Sequence, residues 1–314
     1  MNKTILAIDG GATKTAMTVC DHEGFELYSA TTTGSNYQAI GQKNVVEVLT
    51  HLLADAANIL HDWHIDAAVF AIAGIDTTED ARIVSEIVAQ SIAASPLKIE
   101  RYVVENDVEA TLKGLTGNDP GALLISGTGA IAYGYNGHEI VRCGGWGHRT
   151  GDEGSGYWIG QQVARSIFKA FDGRAPQTAL TDYVLQACNL QSVDQLVNFL
   201  YNSSYTNARL ASFCSQLQRA CEDGDSVSLY IANKAATELA LLAETILQRL
   251  HITMEPFTFY LNGGVLKYND CIYKLFKGYL QEKHPSVSFV LCNEQPLYYL
   301  RKRAQLLMLK ENLS

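Results

Sequence analysis

The order of apolar and polar residues predicts an α/β domain in the first third of the chain. Short apolar segments with polar breaks are typical of strands, whereas Val45, Leu49 and Leu52 recur at helical spacing. The near-continuous apolar run over 67–73 favours a strand that is buried on both faces. Hairpin strands followed by alternating helices and strands predict a mixed sheet flanked by helices. The predicted strands cover residues 4–9, 14–20, 25–32, 67–73 and 99–105, and the predicted helices cover residues 41–60 and 78–93.

A cluster of turn formers, Thr116–Gly121, separates this region from a second one that opens in the same way. Each region starts with a strand, a small glycine turn and a second strand, which predicts a duplicated α/β fold with a cleft between two domains. We expect the first domain to cover residues 1–117 together with a C-terminal helix over 295–314, and the second to cover residues 118–294. Later strands are predicted over 122–126, 130–135, 139–143, 258–261 and 286–291, and later helices over 270–282 and 295–310, after a mostly helical region that ends near 251.

The first glycine turn, Asp9–Thr15, has the composition of a phosphate-binding loop. Gly10 and Gly11 allow bare backbone amides to approach a ligand, and Thr13 offers a hydroxyl donor. Asp9 stands at the end of a strand, where a carboxylate suits a magnesium ion held through water. An ordinary hairpin turn explains the same residues, so this turn by itself leaves both interpretations open.

The second glycine turn, Ser126–Gly129, repeats the same chemistry with two glycines and two hydroxyls. By itself it is again compatible with an ordinary hairpin. Two such turns at matching positions in two halves of a chain favour binding of one polyphosphate by both.

Asn106 and Asp107 follow the last predicted strand of the first domain, at a sheet edge where α/β proteins carry their sites. A carboxylate there can accept the proton of a hydroxyl group that attacks a γ-phosphoryl group. A helix N-cap is the alternative, since Asn and Asp are common in that role. The local pattern does not separate the two.

The segment Gly144–Gly160 is dense in glycine, so we expect its backbone to wrap closely around a ligand. Trp146 offers an aromatic face and Asp152 a hydrogen-bonding carboxylate, a combination that is typical of a sugar site. Asn262–Val265 is a weaker signal, either for a turn that packs against adenine or for a simple helix start.

Composition limits the kinds of partner the protein can have and indicates its cellular compartment. The net charge of −9 argues against nucleic acid or an anionic membrane surface as the main partner. We expect a cytoplasmic protein, because no secretory leader or membrane-spanning apolar run is present in the sequence. The seven cysteines form no C-x-x-C pair, which predicts reduced thiols and argues against zinc or an iron–sulfur cluster. His61 and His64 are expected to mark an exposed helix end, with no third metal ligand nearby.

Taken together, these motifs resemble the N-acetylglucosamine kinases of the BadF/BadG/BcrA/BcrD group, within the superfamily of actin-like ATPases that includes hexokinase. The resemblance extends from the Asp9 turn to Gly263 and Gly264, and it is most specific in Gly144–Gly160. It implies a two-domain, ribonuclease H-like fold with mixed sheets and an interdomain cleft. It also implies an ATP-dependent sugar kinase that uses Mg²⁺ and forms a homodimer.

The resemblance further implies a role for individual residues. Asp107 would be the catalytic base, and Asp9 would hold the metal ion through water. The nucleotide site would consist of Asp9, Gly10, Gly11, Thr13, Ser126, Gly127, Thr128, Gly129, Ala211, Gly263, Gly264, Val265 and Lys267. The sugar site would consist of Asn36, Asp107, Gly145, Trp146, Gly147 and Asp152.

The expected reaction is transfer of the γ-phosphoryl group of ATP to the 6-hydroxyl of N-acetylglucosamine. One departure concerns the sugar: the family commonly has Ser-Gly-Thr-Gly-Ser followed by a polar residue, where this chain has Ala130-Ile131. A polar contact to the sugar is therefore expected to be missing. The alternatives are a kinase for glucosamine or N-acetylmuramic acid, an ATPase that activates a dehydratase through an iron–sulfur cluster, and a sugar-sensing regulator without turnover.

Overall fold

A computed structural model describes residues 3–60, 64–117 and 119–309. The chain divides into two compact units, the first formed by residues 1–119 and 294–314 and the second by residues 120–293. Each unit is built around one mixed five-stranded sheet. Within the described ranges, no helix has the length and apolar character needed to span a membrane.

The strands and helices have the following bounds. The strands are β1 (Thr4–Gly10), β2 (Lys14–Asp21), β3 (Glu26–Thr33), β4 (His64–Ile65), β5 (Ala67–Ile72), β6 (Lys98–Ile99), β7 (Tyr102–Glu105), β8 (Gly121–Ser126), β9 (Ala130–Tyr135), β10 (Ile140–Gly144), β11 (Phe257–Asn262) and β12 (Val287–Leu291). The helices are α1 (Tyr37–Ile40), α2 (Gln42–Ile59), α3 (Thr78–Ala93), α4 (Asp107–Thr116), α5 (Gly156–Phe171), α6 (Leu180–Ala187), α7 (Val193–Tyr201), α8 (Asn207–Ala211), α9 (Cys214–Glu222), α10 (Ser226–Arg249), α11 (Gly264–Tyr268), α12 (Asp270–Lys283) and α13 (Pro296–Leu309).

The sheet of the first unit has the order β3-β2-β1-β5-β7. β1 pairs antiparallel with β2 and parallel with β5, and β5 pairs parallel with β7. Every residue of β5 is buried, as predicted from its apolar run, because helices cover both faces of the sheet. On one face Leu6 and Phe70 pack with residues of α2 and α3, and on the other Ile5 and Val69 pack with residues of α13.

The second unit repeats this plan with the order β10-β9-β8-β11-β12. β8 and β9 form an antiparallel hairpin, and β8, β11 and β12 run parallel. The long helix α10 contributes Ala236, Leu239 and Ala243 to the core, beside Phe259 of β11. The predicted fold class, mixed sheets flanked by helices, is therefore confirmed.

The strand predicted over 99–105 is wrong in its continuity, since the chain changes pairing partner there. β6 pairs with β4 in a separate two-stranded sheet, whereas β7 pairs with β5 in the main sheet. At the transition the Glu100 amide donates to the Ile65 carbonyl, and the Arg101 carbonyl accepts from the Ala68 amide. The short helices α1 and α11 are also absent from the prediction, because segments of four and five residues give no periodic signal.

The expectation of a helix end at His64 is wrong as well. His64 belongs to strand β4, and His61 lies outside the described residues. The His64 Nε2 atom lies 3.4 Å from Glu100 Oε2 and 4.0 Å from Asp66 Oδ1. Position 64 thus lies on a strand beside two acidic side chains, the nearby Asp66 and, from a distant part of the sequence, Glu100.

A buried carboxylate joins three elements of the first unit. Glu105, the last residue of β7, is 8% exposed. Its Oε1 atom accepts from Lys113 Nζ of α4 at 2.7 Å and from Arg303 Nη2 of α13 at 2.7 Å, and its Oε2 atom accepts from Arg303 Nε at 3.1 Å. Burial by itself raises the pKa of Glu105, but Arg303 and then Lys113 outweigh it and hold that pKa below its ordinary value.

We expect Arg303→Met to lower the free energy of unfolding by about 3 kcal/mol at pH 7, because it leaves Glu105 buried with one cationic partner fewer. A carboxylate with a lowered folded pKa stabilises the fold above its unfolded pKa, near 4.5, and loses this contribution as the pH falls below that value. The deficit of the variant should therefore shrink between pH 7 and pH 4. Urea unfolding of the wild type and of Arg303→Met at both pH values measures this difference in the free energy of unfolding. Lys302→Met on the exposed side of α13 is the control, and an equal loss in both variants would contradict the role of Glu105.

Candidate functional site

The candidate site residues of the first unit lie where its parallel strands end. In the sheet register Asp9 stands opposite Ala71, and Ala71 stands opposite Glu105. The segments that follow β1, β5 and β7 therefore leave the sheet along one edge, the edge where α/β proteins bind ligands.

Asp107 is the first residue of α4, and the cap of this helix is Asn106. The Asn106 Oδ1 atom accepts from the Val108 amide at 2.9 Å, and Asp107 Oδ1 accepts from the same amide at 3.0 Å. Burial, then the negative charge of Asp9 and, to a smaller degree, that of Asp76 together raise the pKa of Asp107 to about 6. The capping requirement is thus met by the neighbour, and Asp107 is a half-buried carboxylate among other carboxylates.

The first glycine turn is a tight hairpin with polar groups on both sides. The Gly11 amide donates to the Lys14 carbonyl at 2.9 Å, and the Ser35 amide donates to the Gly11 carbonyl at 3.0 Å. Thr13 and Lys14 are exposed. The hydroxyls of Thr15 and Ser35 are buried and have no hydrogen-bond partner among the described residues. Buried hydroxyls without partners fit a polar ligand close to this turn.

Asp9 fits a role beside a bound cation. Burial raises its pKa, and the charge of Lys14 lowers it in part. A carboxylate oxygen at a strand end is the type of ligand that Mg²⁺ takes directly or through water. The residues present are therefore compatible with the ion that the sequence predicts.

Asn36 lies against the segment that leaves β5. Its side-chain oxygen caps α1 by accepting from the Gln38 amide at 2.9 Å. A Cβ atom on Gly74 would lie 2.8 Å from Asn36 Nδ2, so the two residues are in close contact. The next residue, Ile75, accepts a hydrogen bond from Asn106 Nδ2 at 3.3 Å. Residues 74–76 thereby connect Asn36 to the start of α4, and the first unit brings Asn36 and Asp107 to one place.

The candidate nucleotide residues of the second unit also come together. Across the Ser126–Gly129 turn, the Gly127 amide donates to the Gly129 carbonyl at 2.9 Å. The Gly156 amide, at the start of α5, donates to the Gly127 carbonyl at 2.7 Å. A Cβ atom on Gly156 would lie 3.3 Å from the Cβ atom of Ala211. A Cβ atom on Gly263 would overlap the Ser126 carbonyl. Ala211 and Gly263 are therefore both neighbours of this turn.

The other residues expected to contact the nucleotide, in the segment Gly264–Lys267, differ in how exposed they are. Gly264 is exposed and Lys267 half-buried, whereas the side chain of Val265 is buried in the core of the second unit. Val265 can offer a ligand only its backbone, because its side chain packs with the helices around β11.

The candidate sugar residues surround Asp152. Its Oδ1 atom accepts from the Gly147 amide at 3.3 Å, and the carboxylate also accepts from the backbone amide of Ala130. Burial raises the pKa of Asp152 and these two amides lower it in part. A Cβ atom on Gly129 would lie 2.9 Å from Asp152 Oδ2, so the carboxylate is adjacent to the second glycine turn. At position 130 the contact comes from the backbone, which any residue type supplies.

Sequence reasoning missed three residues of these surroundings. Asp76 follows a buried strand just as Asp107 does, so the argument from strand ends could have found it. Lys14 stands inside the first motif, but only its effect on the pKa of Asp9 shows its relevance. Arg142 lies in β10, where no motif points to it.

The sequence profile of the BadF/BadG/BcrA/BcrD ATPase family matches residues 6–295. An N-acetylmuramic acid/N-acetylglucosamine kinase of Clostridium acetobutylicum is 32% identical over 92% of this chain and 94% of its own length. An N-acetyl-D-glucosamine kinase of Dictyostelium discoideum is 28% identical over the same shares of the two chains.

Solved structures show the same fold. One from Chromobacterium violaceum has a TM-score of 0.67 at 21% identity, over 98% of this chain and 99% of that one. A ROK family glucokinase from Streptomyces griseus, solved with glucose and AMPPNP, has a TM-score of 0.57 at 18% identity, over 96% and 98%.

The two mixed sheets, together with the sequence identity to sugar kinases over nearly the whole chain, define the class as that of the ATP-dependent sugar kinases. Within it, the chain belongs to the BadF/BadG/BcrA/BcrD ATPase family.

Because the folded pKa of Asp107 is raised from 3.8 to about 6, its ionised form destabilises the native state. Its contribution to stability is fully present below pH 3.8 and is lost as the pH rises through about 6. We expect Asp107→Asn to have a free energy of unfolding about 1 to 2 kcal/mol higher than the wild type at pH 7.5, after allowance for partial exposure, and therefore a higher unfolding temperature. The advantage should disappear near pH 4. Calorimetry at both pH values tests this. An equal or lower stability of the variant at pH 7.5 would show that the ionised Asp107 carboxylate does not destabilise the native state.

Proposed function

We propose that this sugar kinase phosphorylates an amino sugar, transferring the γ-phosphoryl group of ATP to the 6-hydroxyl of N-acetylglucosamine. The observation that carries the proposal is the position of Asp107: a half-buried carboxylate at the sheet edge, beside Asp9 and connected to Asn36 through residues 74–76. The sequence identity to amino-sugar kinases supports the acceptor class.

In the proposed mechanism Asp107 accepts the proton of the 6-hydroxyl while that oxygen forms a bond to the γ-phosphorus and the bond to the β,γ-bridging oxygen breaks. The products are the sugar 6-phosphate and ADP, and Asp107 then releases its proton to solvent. A raised pKa suits this role, because a carboxylate whose pKa lies closer to the working pH is a stronger proton acceptor and is still largely ionised. Asn36 would bind a sugar hydroxyl and thereby orient the acceptor.

The phosphates would be bound by backbone amides and hydroxyls of Gly10, Gly11 and Thr13 in the first unit and of Ser126–Gly129 in the second. Mg²⁺, held through water by Asp9, would neutralise charge on the phosphates. Ala211 and the segment Gly263–Lys267 would contact the adenosine. The expected homodimer and cytoplasmic location stay predictions.

The sugar itself would lie against Gly145, Trp146, Gly147 and Asp152. Asp152 would accept from an acetamido N–H or a hydroxyl, because its second oxygen, which lies beside Gly129, is not the one that the Gly147 amide contacts. N-acetylmuramic acid is the second candidate acceptor, since the relative from C. acetobutylicum is named for both sugars.

A coupled assay of ADP release with a panel of sugars decides the acceptor. We expect N-acetylglucosamine to give the highest kcat/KM, with glucosamine at least tenfold lower because it lacks the acetamido group that Asp152 and Trp146 would recognise. Glucose and omission of sugar are the controls for ATP hydrolysis. A preference for free glucosamine would refute the acetamido role of these two residues.

Removal of the proposed base should abolish most turnover. We expect Asp107→Ala to lower kcat by about 10²- to 10⁴-fold, the usual span for loss of a general base. Asp194→Ala, an exposed aspartate in the first turn of α7, is the matched control and should keep wild-type kcat. Circular dichroism and thermal unfolding show whether the variants fold. A folded Asp107→Ala enzyme with near-normal kcat would exclude Asp107 as the base.

The activity should also depend on pH in a way that reports Asp107. Because the base must be ionised, kcat/KM should fall below about pH 6, with a slope of one proton. The profile is measured in the coupled assay between pH 4.5 and 9, with coupling enzymes in excess at each value. A profile that stays level down to pH 4.5 would contradict the raised pKa.

A further inference from the structure

Arg142, on strand β10, holds the start of the segment in which the candidate sugar residues lie. Its Nη2 atom donates to the Gly145 carbonyl at 2.6 Å, and its Nε atom donates to the Gly144 carbonyl at 3.2 Å. Both glycines have left-handed backbones, with φ of 73° and 72°. A glycine pair has wide conformational freedom, so two hydrogen bonds from one rigid guanidinium restrict it strongly.

The same guanidinium also covers one face of Trp146. Arg142 Cζ lies 4.6 Å from the centroid of the indole, within the range of a cation–π contact. The Trp146 side chain is nevertheless 66% exposed. One ring face is therefore engaged by Arg142, and most of the side-chain surface stays accessible to a ligand.

Arg142 and the glycine pair are themselves supported from behind. The Arg142 carbonyl accepts from Arg249 Nη1, in the last turn of α10, at 2.6 Å. The backbone of Gly145 packs on the side chain of Ile131, since a Cβ atom at position 145 would overlap it. The arrangement thus fixes the segment to β9, β10 and α10, which are all regular elements.

We propose that Arg142 is a positioning residue for the amino-sugar acceptor, acting through Trp146 and the Gly144–Gly145 backbone. It holds the indole so that its free face is presented beside Gly147 and Asp152. The inference rests on the proposed function, because it assigns the sugar to this segment. It adds a residue that does not touch the sugar and that sets the geometry of those that do.

Three variants separate the parts of this arrangement. Arg142→Met keeps a side chain of similar length without charge or donors. Arg142→Lys keeps the charge but lacks the forked donors. Trp146→Ala removes the ring through which Arg142 acts. Each is compared with Arg219→Met, which removes a guanidinium that lies 3.8 Å from the Tyr183 ring elsewhere in the second unit.

We expect Arg142→Met to raise KM for N-acetylglucosamine roughly tenfold, with kcat changed less than about threefold and KM for ATP unchanged. The acceptor is bound less tightly in ground state and transition state alike, because the preorganisation of its site is lost. Arg142→Lys should show a smaller rise in KM. Arg219→Met should behave as the wild type in all three constants.

Fluorescence gives a second readout that does not depend on turnover. The tryptophan emission of Arg142→Met should differ from that of the wild type, since the environment of Trp146 changes. The same Arg142→Met change made in the Trp146→Ala background should leave the emission as it is in Trp146→Ala alone. In that background it should also raise KM less than threefold further, because residues that act as one unit are not additive.

The outcomes distinguish this inference from the proposed function. If the wild type phosphorylates no amino sugar, the proposed function fails. If it does and Arg142→Met keeps the wild-type KM and emission, only the inference fails. Fully additive effects of Arg142→Met and Trp146→Ala on KM would also overturn it, as would a rise in KM confined to N-acetylmuramic acid, because Arg142 would then contact a substrate carboxylate directly. Thermal unfolding of Arg142→Lys and Arg142→Met guards against a folding defect.

Discussion

The buried carboxylate of Glu105 is the constraint on which the candidate base depends. Two cations compensate it, and one of them, Arg303, comes from a helix 198 residues later in the chain. A buried charge without such partners would be expelled or neutralised, so the end of β7 is fixed to α4 and α13 together. Asn106 and Asp107 follow directly, and their direction is set before any ligand binds.

The candidate sites of the two units differ in the groups that they offer: side-chain carboxylates in the first and backbone amides in the second. The first collects the carboxylates of Asp9, Asp76 and Asp107 at one sheet edge, where burial and mutual repulsion raise the pKa of the last of these to about 6. Such a collection costs stability and is retained where chemistry needs it. In the second unit, backbone segments pack directly on the Ser126–Gly129 turn. Gly156 and Gly263 each contact this turn at a position where a side chain would be crowded. It therefore offers amides at positions that packing defines closely.

Asp152 connects the phosphate turn with the sugar segment in this second unit. Its carboxylate receives amides from Gly147 and Ala130 and lies against Gly129. The departure at Ala130-Ile131 therefore has a structural meaning: the backbone of Ala130 supplies the contact, and Ile131 supports Gly145. Arg142 and Trp146 extend this arrangement outward, so that a segment with few side chains gains a defined shape.

The sequence by itself determined the elements whose signals are local. Hydrophobic periodicity located α3 and β9 with the bounds they have, and the glycine turns and the strand end at Asp107 were visible as motifs. It left open whether Asp107 caps a helix or acts as a base, since a carboxylate at the start of a helix suits both roles. In the structure the capping residue is Asn106. Only the tertiary structure decided the partner change after β6, the compensation of Glu105 by Arg303, and the contact of Arg142 with Trp146. Each of these joins groups through space, and their energies depend on distance and burial, which the order of residues along the chain does not encode locally.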